Sequence, residues 1–366
     1  MKRTKLVTMM ALVLTLIMMI TGCGSKAEEP AAQPAATPAA EDKDTSSEEP
    51  KASDDAQKSA ADREPYKIGI VVKQMGAPYF DYAAEGAKKA AKDYNAEIIS
   101  YTGPSSEDVN QEITFIEDLI TQGADAILVS TADSTAIIPT INKAMEAGVA
   151  VFTFDIDSPD SDRLFCVTAG NSEESGAAIG ESLVKLVEEK GQVALLTGGL
   201  GSETLNRRLD AIKGVLSKYP DIEVVATEAC DDNFEKCVSQ VENLIQTYPD
   251  LKAVAGVSSV NPPAAAMAIQ SANKTGQIMS IGIGMPSQCS EYIDAGVIPE
   301  LTLWDPGVMG YDAVAAAVNY MDTGKLPQNN EDYGEYGGKL IVEDNGTVGY
   351  IPSIIFTKEN VHDYDF

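Results

Sequence analysis

From residue 66 to residue 296, short apolar runs alternate with longer segments whose apolar residues recur every third or fourth position. "YKIGIVV" (66–72) reads as a strand buried on both faces, "DYAAEGAKKAAKDY" (81–94) as an amphipathic helix, and "AEIISYT" (96–102) as the next strand. "SEDVNQEITFIEDLITQG" opens at Ser106 and Glu107 as a capped helix and stops at Gly123. "ADAILVST", "TAIIPTINKAMEAG" and "VAVFTFDI" continue the alternation, and "RLFCVTAG" leads into a second series. There the strands "QVALLTG", "IEVVATEA", "LKAVAGV" and "IMSIGIG" are separated by helical segments such as "ETLNRRLDAIKGVLSKYP". Near-continuous apolar strands joined by helices imply parallel sheets covered on both faces. Two such series predict an α/β fold of two doubly wound, Rossmann-like lobes.

The N-terminus follows a different pattern. Lys2, Arg3 and Lys5 precede an apolar run that ends at Ile20-Thr21-Gly22-Cys23, the layout of a secretory signal peptide. The run is shorter than the roughly 20 residues of a membrane span. Its Gly-Cys ending resembles the bacterial lipobox, which implies acylation of Cys23 and a membrane anchor; an ordinary signal peptide with an incidental cysteine is the alternative. From residue 24 to about residue 63 the chain is rich in Ala, Pro, Glu, Asp, Ser and Lys, with no aromatic or β-branched aliphatic residue. Such a segment cannot offset its own ordering entropy and is expected to be a stalk. A long stalk suits the outer face of a Gram-positive membrane.

About 300 residues remain beyond the stalk, enough for two lobes rather than one core. The formal net charge of −29 excludes a nucleic-acid reader, which needs an excess of Lys and Arg. Cys166 and Cys289 lie in apolar or turn contexts, whereas "CDDNFEKC" makes Cys230 and Cys237 a candidate disulfide. Zinc is not expected. The single histidine, His362, has no Cys-x-x-Cys companion and reads as a surface residue.

The phrases "GIVVKQMGAPYFDYAAEGAKKAA", "GADAILVSTADSTAIIPTINKAMEAGVAVFTFDID" and "NRRLDAIKGVL" resemble the type I periplasmic binding proteins, the sugar-binding subunits of ABC importers. "LTLWDPGVMGYDAV" and "IIFTKENVHDYDF" resemble the branch that binds rhamnose and autoinducer-2. The resemblance implies two lobes joined by three crossovers, which the sequence allows near residues 168–171, 299–303 and after Lys325. The expected organisation is a signal peptide (1–22), acylated Cys23 with its stalk (23–64), an N-terminal lobe (65–168 plus 302–326) and a C-terminal lobe (169–301 plus 327–366).

Doubly wound sheets place ligands at the carboxyl ends of their strands. Lys73 and Gln74 follow the first strand, Tyr79 and Phe80 begin the first helix, Asp133 follows the third strand, and Asp155 ends the fourth. A polyol site needs an aromatic wall with polar donors and acceptors around it. Tyr79, Phe80 and Trp304 are wall candidates; Asp133, Asp155, Asn206, Arg208, Ser259, Asn261 and Asp305 are polar ones. By resemblance, Lys73 and Asp155 fall on ligand contacts of the autoinducer-2 branch, and Arg208 on an arginine used by pentose and hexose binders. Thr204-Leu205 stand where that branch carries Asp-Gln, Val257-Ser258-Ser259 where it carries Pro-x-Ala, and Gly284 where common sugar binders carry an aspartate.

Each candidate also has a structural alternative. Tyr79 and Phe80 suit a hydrophobic staple, Asp133 and Asn171 suit helix caps, and Lys73 suits a plain surface position. Trp304 suits the core, and Asp305 suits the N-cap of a helix with Pro306 at its first position.

No nucleophile elbow, Walker loop or metal cluster is present, so an enzyme is not expected, nor any cofactor or metal. "GGLGS" (198–202) lies between a strand and a helix but lacks the lysine of a phosphate loop. The resemblance implies a monomeric extracytoplasmic lipoprotein that captures a pentose, a deoxyhexose such as rhamnose, or autoinducer-2 by hinge closure. Its partners would be an ABC permease with its ATPase, and the membrane through the lipid. A binding protein that reports to a sensor histidine kinase or chemoreceptor without transport is the alternative, and a stalked adhesin a third reading.

Overall fold

The computed structural model describes residues 63–366; the expected signal peptide, Cys23 and nearly all of the expected stalk lie outside the described residues. The alternation seen in the sequence resolves into two sheets. The first runs in the order β11-β12-β5-β4-β3-β1-β2 and the second β13-β10-β9-β8-β6-β7. In the first, β1 (Tyr66–Val71), β2 (Ala96–Thr102), β3 (Ala126–Val129), β4 (Ala150–Phe154) and β5 (Cys166–Ala169) are all parallel. The second has β6 (Gly191–Thr197), β7 (Ile222–Ala229), β8 (Leu251–Gly256), β9 (Met279–Ile283) and β10 (Leu301–Leu303) in the same arrangement.

Helices cover both sheets, as the apolar strands require. α1 (Pro78–Asp93), α2 (Val109–Gln122) and α3 (Ile138–Glu146) follow the first strands. α4 (Ser172–Leu186), α5 (Glu203–Leu216), α6 (Phe234–Thr247), α7 (Asn261–Ser271) and α8 (Pro286–Asp294) follow in the second series. α9 (Pro306–Thr323) returns to the first lobe and lies against α1 so closely that a Cβ on Gly86 would fall 1.8 Å from the Gly307 carbonyl oxygen. Among the described residues no helix is long and apolar enough to cross a membrane.

Two expectations are corrected by pairing. The segment after residue 327 does not belong wholly to the C-terminal lobe: β12 (Val348–Ile351) pairs parallel with β5, and β11 (Ile341–Val342) pairs antiparallel with β12. Only β13 (Ile354–Phe356) and the 3-10 turn Val361–Asp363 join the second lobe, through β10 and α8. β10 likewise belongs to the second sheet, so the chain crosses between lobes at 170–171, 304–305 and 352–353. The third crossing thus lies far beyond Lys325.

The cap of α2 is also displaced from its expected place. Asp108 accepts from the backbone N–H of Asn110 at 3.0 Å and of Gln111 at 3.3 Å, while Gly123 closes the helix at φ 75°. Ser106 and Glu107 are left in the preceding loop. That shift frees Glu107 for the space between the lobes.

Candidate ligand cleft

The carboxyl ends of both sheets face a narrow cavity of about 30 Å³ between the closed lobes. Its walls come from both lobes: Lys73, Gln74, Ala77, Tyr79, Phe80, Asp155 and Ile156 from the first, and Leu205, Arg208, Asp232, Ser258, Ser259, Val260 and Ile283 from the second. Trp304, on the second crossover, also lines it.

Asp155 owes its position to its backbone. It stands at φ +61°, a left-handed conformation that glycine, asparagine and aspartate adopt most readily, and is held by its N–H to Val167 O at 3.0 Å and by Thr168 Oγ1 on its own carbonyl at 3.0 Å. Its carboxylate accepts from Tyr79 Oη at 2.9 Å and Ser130 Oγ at 3.0 Å. Burial pushes its pKa up, against the pull of Lys73 and Arg208. Tyr79 in turn accepts from Trp304 Nε1 at 2.7 Å, and its ring meets Phe80 and Trp304 edge-on. The aromatic wall is therefore locked by hydrogen bonds as well as packing.

Arg208 enters from α5, which is drawn against α4 at Gly176; a Cβ there would fall 2.4 Å from the Arg208 carbonyl oxygen. Its guanidinium lies 5.0 Å from the Trp304 ring centroid, a cation–π arrangement. One nitrogen donates to Val257 O at 3.2 Å. Nε and the other terminal nitrogen are buried and have no partner among the described residues. Gln74 carries a buried amide oxygen in the same condition. Buried polar atoms are rarely left unpaired, so these donors and this acceptor define where a polar ligand would complete the site.

Lys73 does something else. It pairs with Glu107 at 2.7 Å and with Asp232 of the opposite lobe, joining the two lobes through a buried bridge. Burial alone would lower its pKa, yet Asp232 and then Glu107 raise it overall. Ser258 Oγ also donates to Asp232, and Asp231 and Asp232 both adopt left-handed backbone at φ 51° and 49° to aim that carboxylate inward. Further contacts close the lobes at the rim: Ser134 N–H donates to Gly201 O at 3.1 Å, and Glu203 N–H to Ser134 Oγ at 3.2 Å. The "GGLGS" loop is thus a lobe contact, and its Ser202 caps α5 by accepting from Leu205 N–H at 3.3 Å.

A family model for the periplasmic binding protein domain matches residues 68–326. The chain belongs to that family. The sugar-binding subunits of ABC importers are its relatives, and they are transport proteins rather than enzymes. This binding protein is 25% identical over 260 residues to the D-apiose import binding protein of Actinobacillus succinogenes, covering 70% of this chain and 82% of that protein. Its fold matches a solute-binding protein from Clostridium phytofermentas with bound L-rhamnose (TM-score 0.76, 23% identity, 82% and 98% of the two chains). It also matches LsrB from Clostridium saccharobutylicum in complex with AI-2 (TM-score 0.73, 22% identity, 82% and 100% of the chains).

Of the residues named from sequence, the binding protein brings Lys73, Tyr79, Phe80, Asp155, Arg208, Ser259 and Trp304 to the cavity wall. Four others are placed elsewhere. Asp133 caps the turn before α3, accepting from Thr135 and Ala136 N–H at 3.0 and 2.9 Å. Asp305 caps α9 through Gly307 and Val308 N–H. Asn206 donates to Leu200 O at 2.9 Å, supporting its own loop. Asn261 is buried beneath the site, accepting from Ser258 N–H at 3.0 Å and donating toward Cys230. Cys230 and Cys237 stand as free buried thiols rather than a disulfide.

Sequence reasoning placed Gln74 beside Lys73 at the cleft edge, and missed Asp232 and Ser258 on the wall and Glu107 as the partner of Lys73. The usable signal for Ser258 was its place just past the end of β8. No group of metal-ligating side chains occurs among the described residues, and His362 is exposed beside Asp294 at 3.1 Å.

Proposed function

We propose that this protein captures a small neutral polyol, namely a pentose, a deoxyhexose such as rhamnose, or autoinducer-2, by closing its lobes over it. It is tethered outside the cell through a lipid on Cys23 and delivers its cargo to an ABC permease. The observation that carries this reading is the pair of unpartnered Arg208 nitrogens opposite the Asp155 carboxylate. Donors and an acceptor so placed suit hydroxyl groups, which both donate and accept. Trp304, Phe80, Leu205, Ile156 and Ile283 supply an apolar wall for the carbon face of a ring or a methyl group.

The ligand, by bridging the lobes, stabilises the closed state in proportion to its differential affinity, and the closed surface is what a permease would read. A thermal-shift screen of residues 62–366 against L-rhamnose, D-apiose, D-ribose, D-allose and autoinducer-2 tests it. A ligand at a hundred times its Kd adds about 2.7 kcal/mol to stability. Asp155→Ala should abolish the shift. A domain that none of these compounds stabilises would remove the polyol reading.

A further inference from the structure

The run "CDDNFEKC" has a role that ligand capture does not absorb. Cys230 follows β7 and Cys237 lies in the first turn of α6; both are fully buried, and the Cys230 thiol donates to Thr197 O at 3.3 Å. Asn261 Nδ2 lies 3.2 Å from Cys230 Sγ and 3.7 Å from Cys237 Sγ, so one side chain holds both sulfurs together. Between them runs the doubly left-handed turn at Asp231 and Asp232. That turn has little slack: a Cβ on Gly198 would meet the Asp232 carboxylate at 2.5 Å, and Lys236 pairs with Asp231 across the turn. The same Asp232 is the second lobe's half of the bridge to Lys73. Among the described residues no other cysteine competes: Cys166 belongs to the first sheet and Cys289 to α8.

We propose that Cys230 and Cys237 are a reversible redox pair, whose conversion to a disulfide resets the Asp231–Asp232 turn and weakens the Asp232 bridge to Lys73. A disulfide demands a sulfur separation near 2.05 Å and a fixed dihedral, which the two free thiols do not satisfy. Forming it must move the start of α6 relative to the end of β7. The strained turn between them carries that movement to the cleft.

With hydrogen peroxide as the oxidant the chemistry balances. The Cys237 sulfur attacks one peroxide oxygen, the O–O bond breaks, and the departing hydroxide takes the thiol proton to leave a sulfenic acid and water. The Cys230 sulfur then displaces the sulfenic hydroxyl, forming the S–S bond and a second water. Two thiols and one peroxide give one disulfide and two waters. The Cys230 S–H is engaged with the Thr197 carbonyl at 3.3 Å, whereas the Cys237 sulfur has the Asn261 amide donating toward it at 3.7 Å, which makes Cys237 the better attacking group. Oxidant reaches the pair when the lobes part, because Asp232 lines the cleft wall above it.

The consequence for ligand affinity rests on the polyol reading of the cleft; the thiol chemistry and the loss of the bridge do not. The purified chain, reduced or treated with hydrogen peroxide, is alkylated under denaturing conditions and its peptides are mapped by mass. Emission from Trp304, the single tryptophan, reports the cleft in parallel. The expected result is a peptide linked through Cys230 and Cys237, reversed by dithiothreitol, with a change in Trp304 emission that reduced Asp232→Asn reproduces. Cys230→Ser should show neither. L-rhamnose affinity should fall at least tenfold in the oxidised protein if that sugar binds the reduced one. Cysteines that all remain open to alkylation, or a linked peptide with unchanged Trp304 emission, would overturn the proposal. A reduced protein that no sugar stabilises would overturn only the polyol reading, leaving the emission arm to decide the switch.

Discussion

Tyr79 is the joint of the aromatic wall, donating to Asp155 while accepting from Trp304. Tyr79→Phe keeps the ring and leaves Trp304 Nε1 and one Asp155 oxygen short of a partner. Each buried orphan costs about 1–3 kcal/mol, so urea denaturation should show a loss in that range or somewhat above it. Lys73 presents a different case. Breaking a buried ion pair costs about 3–5 kcal/mol when the stranded charge stays buried, but here the lobes can part and hydrate Asp232 and Glu107 instead. Lys73→Met is therefore expected to open rather than unfold the protein. Small-angle scattering should give the unliganded variant a larger radius of gyration than wild type, and equal radii would show that Lys73 does not hold the lobes. Lys73, Asp155 and Arg208 were legible because each lies just past a strand or near a helix start on the edge where doubly wound sheets bind ligands. Asp232 was not: in "CDDN" nothing marks a cleft carboxylate apart from a turn aspartate. Only the left-handed backbone at 231 and 232, a property of the folded chain, directs it inward.

At the level of elements, the first lobe depends on how closely α1 and α9 approach. Gly86 meets the Gly307 carbonyl, and Gly310 meets Ala83, with no room for a side chain on either. Gly86→Ala must push the helices apart, and overpacking of this kind typically costs about 1–3 kcal/mol. Its denaturation midpoint should fall accordingly, while Gly214→Ala, whose added Cβ meets nothing within 4 Å, should not lower it. The helices and central strands were readable from periodicity, and so were the stops at Gly123 and the cap at Asp305. β11 and β12 were not. They are short strands in the Gly-, Asp- and Asn-rich "KLIVEDNGTVGY", below the length at which alternation is informative. Their place is set by pairing with β5, which lies far away in the sequence.

For the whole molecule, pH is a lever through two buried carboxyls. Burial pushes Asp312 on α9 up to about 8, despite the Gly338 N–H donating to it, and pushes Glu112 on α2 up to about 7 despite Thr131. An unfolded carboxyl releases its proton near pH 4, whereas these hold theirs in the fold. The native state therefore binds more protons between those values, and stability declines as pH rises through that window. Calorimetry should show a melting temperature falling from pH 5 to about 8 and then levelling. Asp312→Asn keeps an acceptor for Gly338 and removes one titration, so its remaining decline should end near pH 7. A wild-type profile flat over this range would contradict the burial assignment.

The three crossings carry a consequence for biosynthesis. The first sheet is finished by β12, and its outer helix layer by α9, both made after the entire helix-and-strand series of the second lobe. A chain emerging from the amino end thus has no complete lobe to fold until residues beyond 350 have been made. Domains that are contiguous in sequence fold as they are synthesised, N-terminal part first. Here topology withholds that option, and the chain stays threadable until residues beyond 350 have left the ribosome.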